Sequence, residues 1–306
     1  MYFISFLAAI KTYYANFDNM NHEKLTISSV RQYLRNKLAP YYPEGELSAI
    51  IIIILSYISR KNRTFVLGHP QYEIPSYTWF KVKKIVSDLK NMIPVQYITG
   101  ETEFYGIKLK VTEDTLIPRQ ETEELVDHII KENKEPSPKI LDIGTGTGCI
   151  AISLALNMNK AIVTATDKSN EALEIAALNA KRNSAVINFI HDDMLNPVTL
   201  KYGKYDLVVC NPPYITESEK IAMPENVLDH EPHDALFVPD NDALIYYRAV
   251  LDLCKNVLKR GSCLYFEINE NKAGEMKDLL LAYGYINIEV IHDINGKPRI
   301  TKSTKA

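Results

Sequence analysis

Apolar positions along the chain follow two different rhythms. Over residues 22–92 they recur every third or fourth position, predicting helices at Ile27–Leu38, Glu44–Arg60 and Ser76–Asn91. Pro43 and Pro75 punctuate this region. The next stretch, residues 94–118, carries short β-type runs at Val95–Tyr97 and Ile107–Val111 around Phe104-Tyr105-Gly106, which reads as a β-hairpin linker. A helical pattern resumes at Glu121–Lys131. From Lys139 onward strands and helices alternate. Strands are expected at Ile140–Ile143, Ile162–Thr166, Val186–His191, Tyr205–Cys210, Cys263–Ile268 and Ile286–Ile291. Helices are expected at Cys149–Leu156, Asn170–Arg182, Ala243–Lys259 and Lys272–Tyr283. Such alternation predicts an α/β fold with a doubly wound, mostly parallel sheet, preceded by a small helical domain.

Composition adds a few constraints. The 306 residues are 46% apolar and 24% charged, enough for a sizeable core in one large or two modest domains. Net charge is −3, but the first ninety residues hold 12 Lys/Arg against 6 Asp/Glu. A basic front of this kind suits an acidic or RNA-associated partner, or is simply a solvated helical surface. Cys149, Cys210, Cys254 and Cys263 form no C-x-x-C pair, so buried free thiols in a reducing cytoplasm are expected and a zinc site is not. No apolar run reaches the roughly 18 residues of a membrane span. The opening MYFISFLAAI is apolar but lacks a basic leader, and a domain begins naturally after Met20. Residues 1–19 are therefore expected to be an extension, residues 20–93 a helical recognition domain, and residues 119–306 the α/β domain.

Candidate chemistry lies at strand ends. In Leu141-Asp142-Ile143-Gly144-Thr145-Gly146-Thr147-Gly148 a strand runs through glycines into a helix. Glycines there let a backbone turn tightly against a ligand. Asp167 ends the next strand, where an acid accepts hydrogen bonds from ribose hydroxyls. An adenosine-type cofactor follows, and two compete. Dinucleotides favour G-x-G-x-x-G, whereas the G-x-G-x-G spacing with Asp142 ahead suits the cationic S-adenosylmethionine better. At His191-Asp192-Asp193-Met194, one carboxylate and the thioether are placed to flank an adenine.

Asn211-Pro212-Pro213-Tyr214 follows the apolar strand Tyr205–Cys210 directly. The two prolines remove two N–H donors, so the backbone offers carbonyls only. Asn211 adds a side-chain acceptor and Tyr214 a flat face. Two acceptors hold the two hydrogens of an NH₂ group, which points to methylation of a planar amide or amine nitrogen.

These segments together resemble the release-factor glutamine methyltransferases. The likeness runs from about Pro94 to Arg299, through PVQYITGETEFYGIKLKVTEDTLIPRQETEELVD, LDIGTGTGCIAISLA, NPPYI, HEPHDAL and DINGKPR. It implies an N-terminal helix bundle and a seven-stranded class I methyltransferase domain. It also implies S-adenosylmethionine as methyl donor and the glutamine of the Gly-Gly-Gln loop of class I peptide-chain release factors as acceptor, in the cytoplasm. Mapped by motif, Gly144, Thr145, Gly146, Thr147, Gly148, Asp167, Asp193, Met194 and Asn211 are expected at the cofactor. Asn211, Pro212, Pro213 and Tyr214 are expected at the glutamine, with Asn211, Pro212 and Tyr214 catalytic, and Phe104 and Arg119 nearby. Gln120 stands where many members have proline, and Met194 where some have an aromatic. Two other readings compete: methylation of an exocyclic amine in DNA or RNA, which shares the Asn-Pro-Pro-Tyr pattern, and a non-catalytic module that holds a release factor. The residues from 91 onward carry 23 Lys/Arg against 32 Asp/Glu, and no target-recognition insert follows the motif, which favours a protein substrate over a nucleic acid.

Overall fold

The computed structural model describes residues 25–306, in two compact units, one ending at Thr99 and one spanning Gly100–Ala306. The extension expected over residues 1–19 lies outside the described residues.

The first unit is helical: α1 (Ile27–Leu38), α2 (Glu44–Ser59), α3 (Arg63–Gly68), α4 (Thr78–Lys90) and α5 (Val95–Thr99). A reciprocal cap starts α1, with Ser29 N–H donating to Thr26 Oγ1 at 3.1 Å and Thr26 N–H to Ser29 Oγ at 2.9 Å. Its buried stripe is Ile27, Val30, Leu34 and Leu38, the spacing that put a helix here on sequence grounds. The isoleucine run gives α2 a broad apolar face through Ile50, Ile51, Ile54, Leu55 and Ile58. Arg60 then adopts a left-handed conformation, φ 55°, and ends that helix. Val82, Ile85, Val86 and Leu89 of α4 complete the core. The β-type run expected at Val95–Tyr97 is instead helix α5. Pro94 explains the difference: its fixed φ suits a first helical turn, and its carbonyl accepts from the N–H groups of Tyr97 and Ile98. Three residues are too few for apolar spacing to separate a short helix from a strand.

The second unit opens with a hairpin, β1 (Glu101–Phe104) and β2 (Ile107–Lys110). Its turn residues Tyr105 and Gly106 have φ of 45° and 76°, as two-residue hairpin turns require. Helix α6 (Gln120–Glu132) follows. The remaining strands are β3 (Lys139–Ile143), β4 (Ile162–Asp167), β5 (Ile187–His191), β6 (Tyr205–Cys210), the short parallel pair β7 (Ile215–Thr216) and β8 (Phe237–Val238), then β9 (Leu258–Glu267), β10 (Tyr285–His292) and β11 (Pro298–Lys305). Between them run α7 (Cys149–Asn157), α8 (Asn170–Arg182), α9 (Glu225–His230), α10 (Ile245–Val257) and α11 (Ala273–Ala282).

Seven strands form one sheet in the order β10-β11-β9-β6-β3-β4-β5. β3, β4, β5, β6 and β9 pair in parallel, while β11 runs against both its neighbours. Alternate residues of β3 face opposite layers. Ile140 packs with residues of α6 and α7, and Leu141 and Ile143 pack with residues of α10 and α11. The expected doubly wound α/β architecture is therefore present. The order reverses between β3 and β6, since β3 leads to β4 on one side and meets β6 on the other. A crevice opens at the carboxyl ends of these strands. Among the described residues, no helix is long and apolar enough to cross a membrane.

Candidate active site

Four strand ends, those of β3, β4, β5 and β6, bring predicted residues to this crevice. After β3 the glycines at 144, 146 and 148 take φ of 74°, 54° and 81°, which a side chain would resist. A Cβ on Gly144 would stand 3.0 Å from Met194 Cε, and one on Gly148 would stand 3.2 Å from Ala176 Cβ. The N–H groups of Gly144 and Thr145 both donate to the Thr166 carbonyl at 2.9 Å, stitching the loop to β4. Asp142 is fully buried and accepts the Thr145 hydroxyl at 2.6 Å. Burial pushes its carboxyl up to about 7. At the end of β4, Asp167 accepts the Gly146 N–H at 2.8 Å and the Ser169 N–H at 3.0 Å.

Beside this loop lies a cleft of about 410 Å³. Of the predicted residues it is lined by Gly144, Gly146, Asp167, Asp193, Met194, Asn211 and Pro213. Three expected cofactor contacts sit elsewhere. Thr145 and Thr147 are buried beneath the loop, and Gly148 packs on α7 and α8. These residues shape the turn and do not face the cleft. The two aspartates after β5 both line the cleft and differ in their partners. Asp192 is occupied by the Val198 N–H at 3.0 Å, the Tyr202 hydroxyl at 2.7 Å and the Lys201 ammonium at 3.3 Å. Asp193 accepts only a local bond from the Leu195 N–H, at 2.9 Å.

The charge of the cleft separates the two cofactors considered from sequence. Asp114, Asp167, Asp192, Asp193 and Asp234 line it, against one lysine, Lys168, which is held by Asp234 at 2.7 Å. Acid-rich walls repel a diphosphate and attract a cationic sulfonium and amine. Size and lining are those of a small-molecule cofactor site.

Asn211 and Pro213 form the next wall, following β6. The motif is anchored from behind by groups far away in sequence. Tyr214 donates its hydroxyl to Glu267 Oε1 at 3.1 Å, and its carbonyl accepts from Asn269 Nδ2 at 3.2 Å. Asn211 donates from Nδ2 to Thr122 Oγ1 at 3.3 Å, and Thr122 donates to Glu267 Oε2 at 2.7 Å. Glu267, 1% exposed at the end of β9, also accepts the Tyr247 hydroxyl on its backbone carbonyl at 3.0 Å. Burial raises its carboxyl above the ordinary range.

The two outlying candidates behave differently. Phe104 is 1% exposed and packs in the core with Leu125 and Ile129 of α6, so it has no face for a substrate. That expectation is corrected: an aromatic next to a hairpin turn sits inward because the strand register points it there. Arg119 forms an ion pair with buried Glu231 at 2.6 Å, and Glu231 also accepts the Ile117 N–H at 3.3 Å. The pair joins the start of α6 to the segment after α9.

Sequence reasoning missed several contributors. Asn179 bonds both backbone groups of Lys110 and, from Nδ2, the Thr147 carbonyl, tying the hairpin to the glycine loop. The available signal was a polar residue on the buried stripe Ala172, Ile175, Ala176, Asn179 of α8. Leu116, Lys168, His233 and Asp234 also line the cleft.

Comparison with known proteins decides the family. The PrmC N-terminal domain model matches residues 29–100 and the Methyltransferase small domain model matches residues 120–232. The release factor glutamine methyltransferase of Flavobacterium psychrophilum is 41% identical over 91% of this chain and 99% of its own length. That of Bacteroides thetaiotaomicron is 39% identical over 91% of this chain and 100% of its own. The chain belongs to the release factor glutamine methyltransferase family. Among solved structures, a methyltransferase from Pyrococcus furiosus aligns over 75% of this chain and 99% of its own with a TM-score of 0.50 at 14% identity, a likeness of fold alone. The resemblance read from the motifs between about Pro94 and Arg299 thus holds, the family match extends beyond it into the first unit, and the glycine loop and Asn211 fall inside the matched methyltransferase segment.

Proposed function

We propose that this chain transfers a methyl group from S-adenosylmethionine to the side-chain amide nitrogen of the glutamine in the Gly-Gly-Gln motif of class I peptide-chain release factors. The observation that carries this reading is the placement of Asn211 and Pro213 on the wall of the same acid-lined cleft as Gly144, Asp167 and Met194. Family membership supports the substrate.

Bound S-adenosylmethionine would supply a methyl carbon activated by its sulfonium, the sulfur–methyl bond breaking as the nitrogen–carbon bond forms and S-adenosylhomocysteine leaving as the neutral thioether. Asp167 would take the ribose hydroxyls, Asp193 and Met194 would flank the adenine, and the backbone of Gly144 and Gly146 would allow close approach. Asn211 Oδ1 and the Pro212 carbonyl accept the two hydrogens of the glutamine amide and aim its nitrogen. An amide nitrogen is a poor nucleophile, so positioning is the main contribution of these groups. They also stabilise the positive charge that grows on nitrogen as it gains the methyl. The nitrogen then releases one hydrogen as a proton to solvent. Tyr214, its hydroxyl fixed on Glu267, presents a ring held at one angle. Arg119 acts through Glu231 by ordering the segment that carries Pro232 and His233. The helical unit ending at Thr99 is assigned to recognition of the release factor body, and the substrate places the reaction in the cytoplasm.

Incubation with labelled methyl donor tests the proposal. Label is expected on a class I release factor, none on a variant whose motif glutamine is replaced by alanine, and none on duplex DNA. Label on DNA alone would transfer the same site to an exocyclic amine.

A further inference from the structure

Hydrogen-bond polarity runs in one direction through the groups behind Asn211. An ionised Glu267 carboxylate is an acceptor only. It takes the Thr122 hydroxyl hydrogen on Oε2 at 2.7 Å and the Tyr214 hydroxyl hydrogen on Oε1 at 3.1 Å. With its one hydrogen committed, Thr122 Oγ1 offers only lone pairs to Asn211, which meets it with Nδ2 at 3.3 Å. The amide must therefore turn its NH₂ to Thr122 and its carbonyl oxygen away from it.

The choice matters because the two ends of an asparagine amide are nearly the same shape and opposite in polarity. A flipped Asn211 would present donors to a substrate NH₂, which also carries donors, and would repel the group it should hold. Nothing in the Asn-Pro-Pro-Tyr segment itself prevents that flip. Thr122 lies in the first turn of α6 and Glu267 at the end of β9, both almost fully buried, so their bond is shielded from water. Burial raises the Glu267 carboxyl, and the hydrogen bonds from Thr122 and Tyr214 and the positive potential of Arg299, whose guanidinium is held by Asp293 and Glu270, act against that rise.

We propose that Thr122 and Glu267 are positioning residues that set the amide polarity of Asn211, so that Oδ1 faces the substrate nitrogen. The proposal rests on the reading of Asn211 as the acceptor for the substrate amide. Neither residue touches substrate. Their effect passes through Asn211, so it disappears when Asn211 is removed.

The test is methyl transfer to release factor by full-length wild type, Asn211→Ala, Thr122→Val, Thr122→Ser, Glu267→Gln and the Thr122→Val/Asn211→Ala double variant, with cofactor affinity by calorimetry. Valine matches threonine in shape and lacks the hydroxyl. Thr122→Val is expected to lower kcat by about 10–100-fold, a fraction of the loss from Asn211→Ala, while cofactor Kd changes by less than about twofold. Thr122→Ser restores most of the rate. Glu267→Gln, which can donate as well as accept, falls in the same direction as Thr122→Val. The double variant turns over no more slowly than Asn211→Ala alone, a non-additivity that a merely structural role would not produce. The proposal is overturned if Thr122→Val keeps its rate, loses cofactor binding in parallel, or multiplies its loss with that of Asn211→Ala. Full activity in Asn211→Ala would sink the reading of Asn211 as well, whereas an inactive Asn211→Ala beside a normal Thr122→Val would sink the relay alone.

Discussion

The two walls of the cleft are built by opposite means. The glycine loop, Gly144–Gly148, is held by backbone: left-handed φ values, carbonyls reached by neighbouring N–H groups, and, at Gly144 and Gly148, neighbours that a Cβ would crowd. The Asn211–Tyr214 wall is held by side chains from Thr122, Glu267 and Asn269. A loop that binds a cofactor through shape needs rigid backbone. A wall that distinguishes an NH₂ from its mirror polarity needs groups whose donors and acceptors are each accounted for. The difference teaches where damage shows. Changes in the loop appear in cofactor affinity, and changes behind Asn211 appear in turnover.

The largest expected effect sharpens that division. Asn211→Ala lowers kcat by about 10²–10³-fold, as loss of a single positioned transition-state partner does, with cofactor Kd nearly unchanged. Steady-state kinetics beside calorimetry reads both. Asp167→Ala comes next on the other side. It removes the acceptor of the Gly146 and Ser169 N–H groups and the proposed ribose contact, and weakens cofactor binding by roughly 10–100-fold. Saturating cofactor should recover most of its kcat. Gly144→Ala is milder. Its φ of 74° costs a side chain about 1–2 kcal/mol, and the new methyl meets Met194 Cε at 3.0 Å. About a tenfold loss of cofactor affinity follows, and an equal loss of kcat at saturating cofactor would break the comparison.

The smallest effect is on stability. Burial raises Asp142 to about 7 in the folded state, above its unfolded value. The native protein keeps this proton where the unfolded chain releases it. Its contribution is therefore full below about pH 4 and is lost as pH rises through about 7. Asp142→Asn retains an acceptor for Thr145 and cannot titrate. Thermal unfolding should show Tm declining less steeply across that window in the variant than in wild type.

How legible each wall was follows from the same contrast. The glycine loop and Asp167 are contiguous motifs at predicted strand ends, and the structure brings them to one crevice. Asn211 and Pro213 were legible because prolines announce a donor-free turn. Thr122 and Glu267 were not, since Thr122 lies 89 residues from Asn211 and 145 residues from Glu267, and the two read locally as a helix start and a strand end. Only the sheet order brings them together. Phe104 was misplaced for a related reason: the aromatic was visible, but its side of the hairpin depends on register. Strand β11 gave no apolar signal because its buried residues include Thr301 and Ser303 along with Ile300.

The claim on which the account turns is that the methyl lands on an amide nitrogen. Release factor labelled by this enzyme with isotopic methyl donor can be hydrolysed in acid, which cleaves amides and leaves carbon- and sulfur-bound methyl groups in place. The account predicts volatile labelled methylamine, absent when the motif glutamine is replaced by alanine. Label retained in a non-volatile amino acid, or methylamine released equally from the alanine variant, would contradict it.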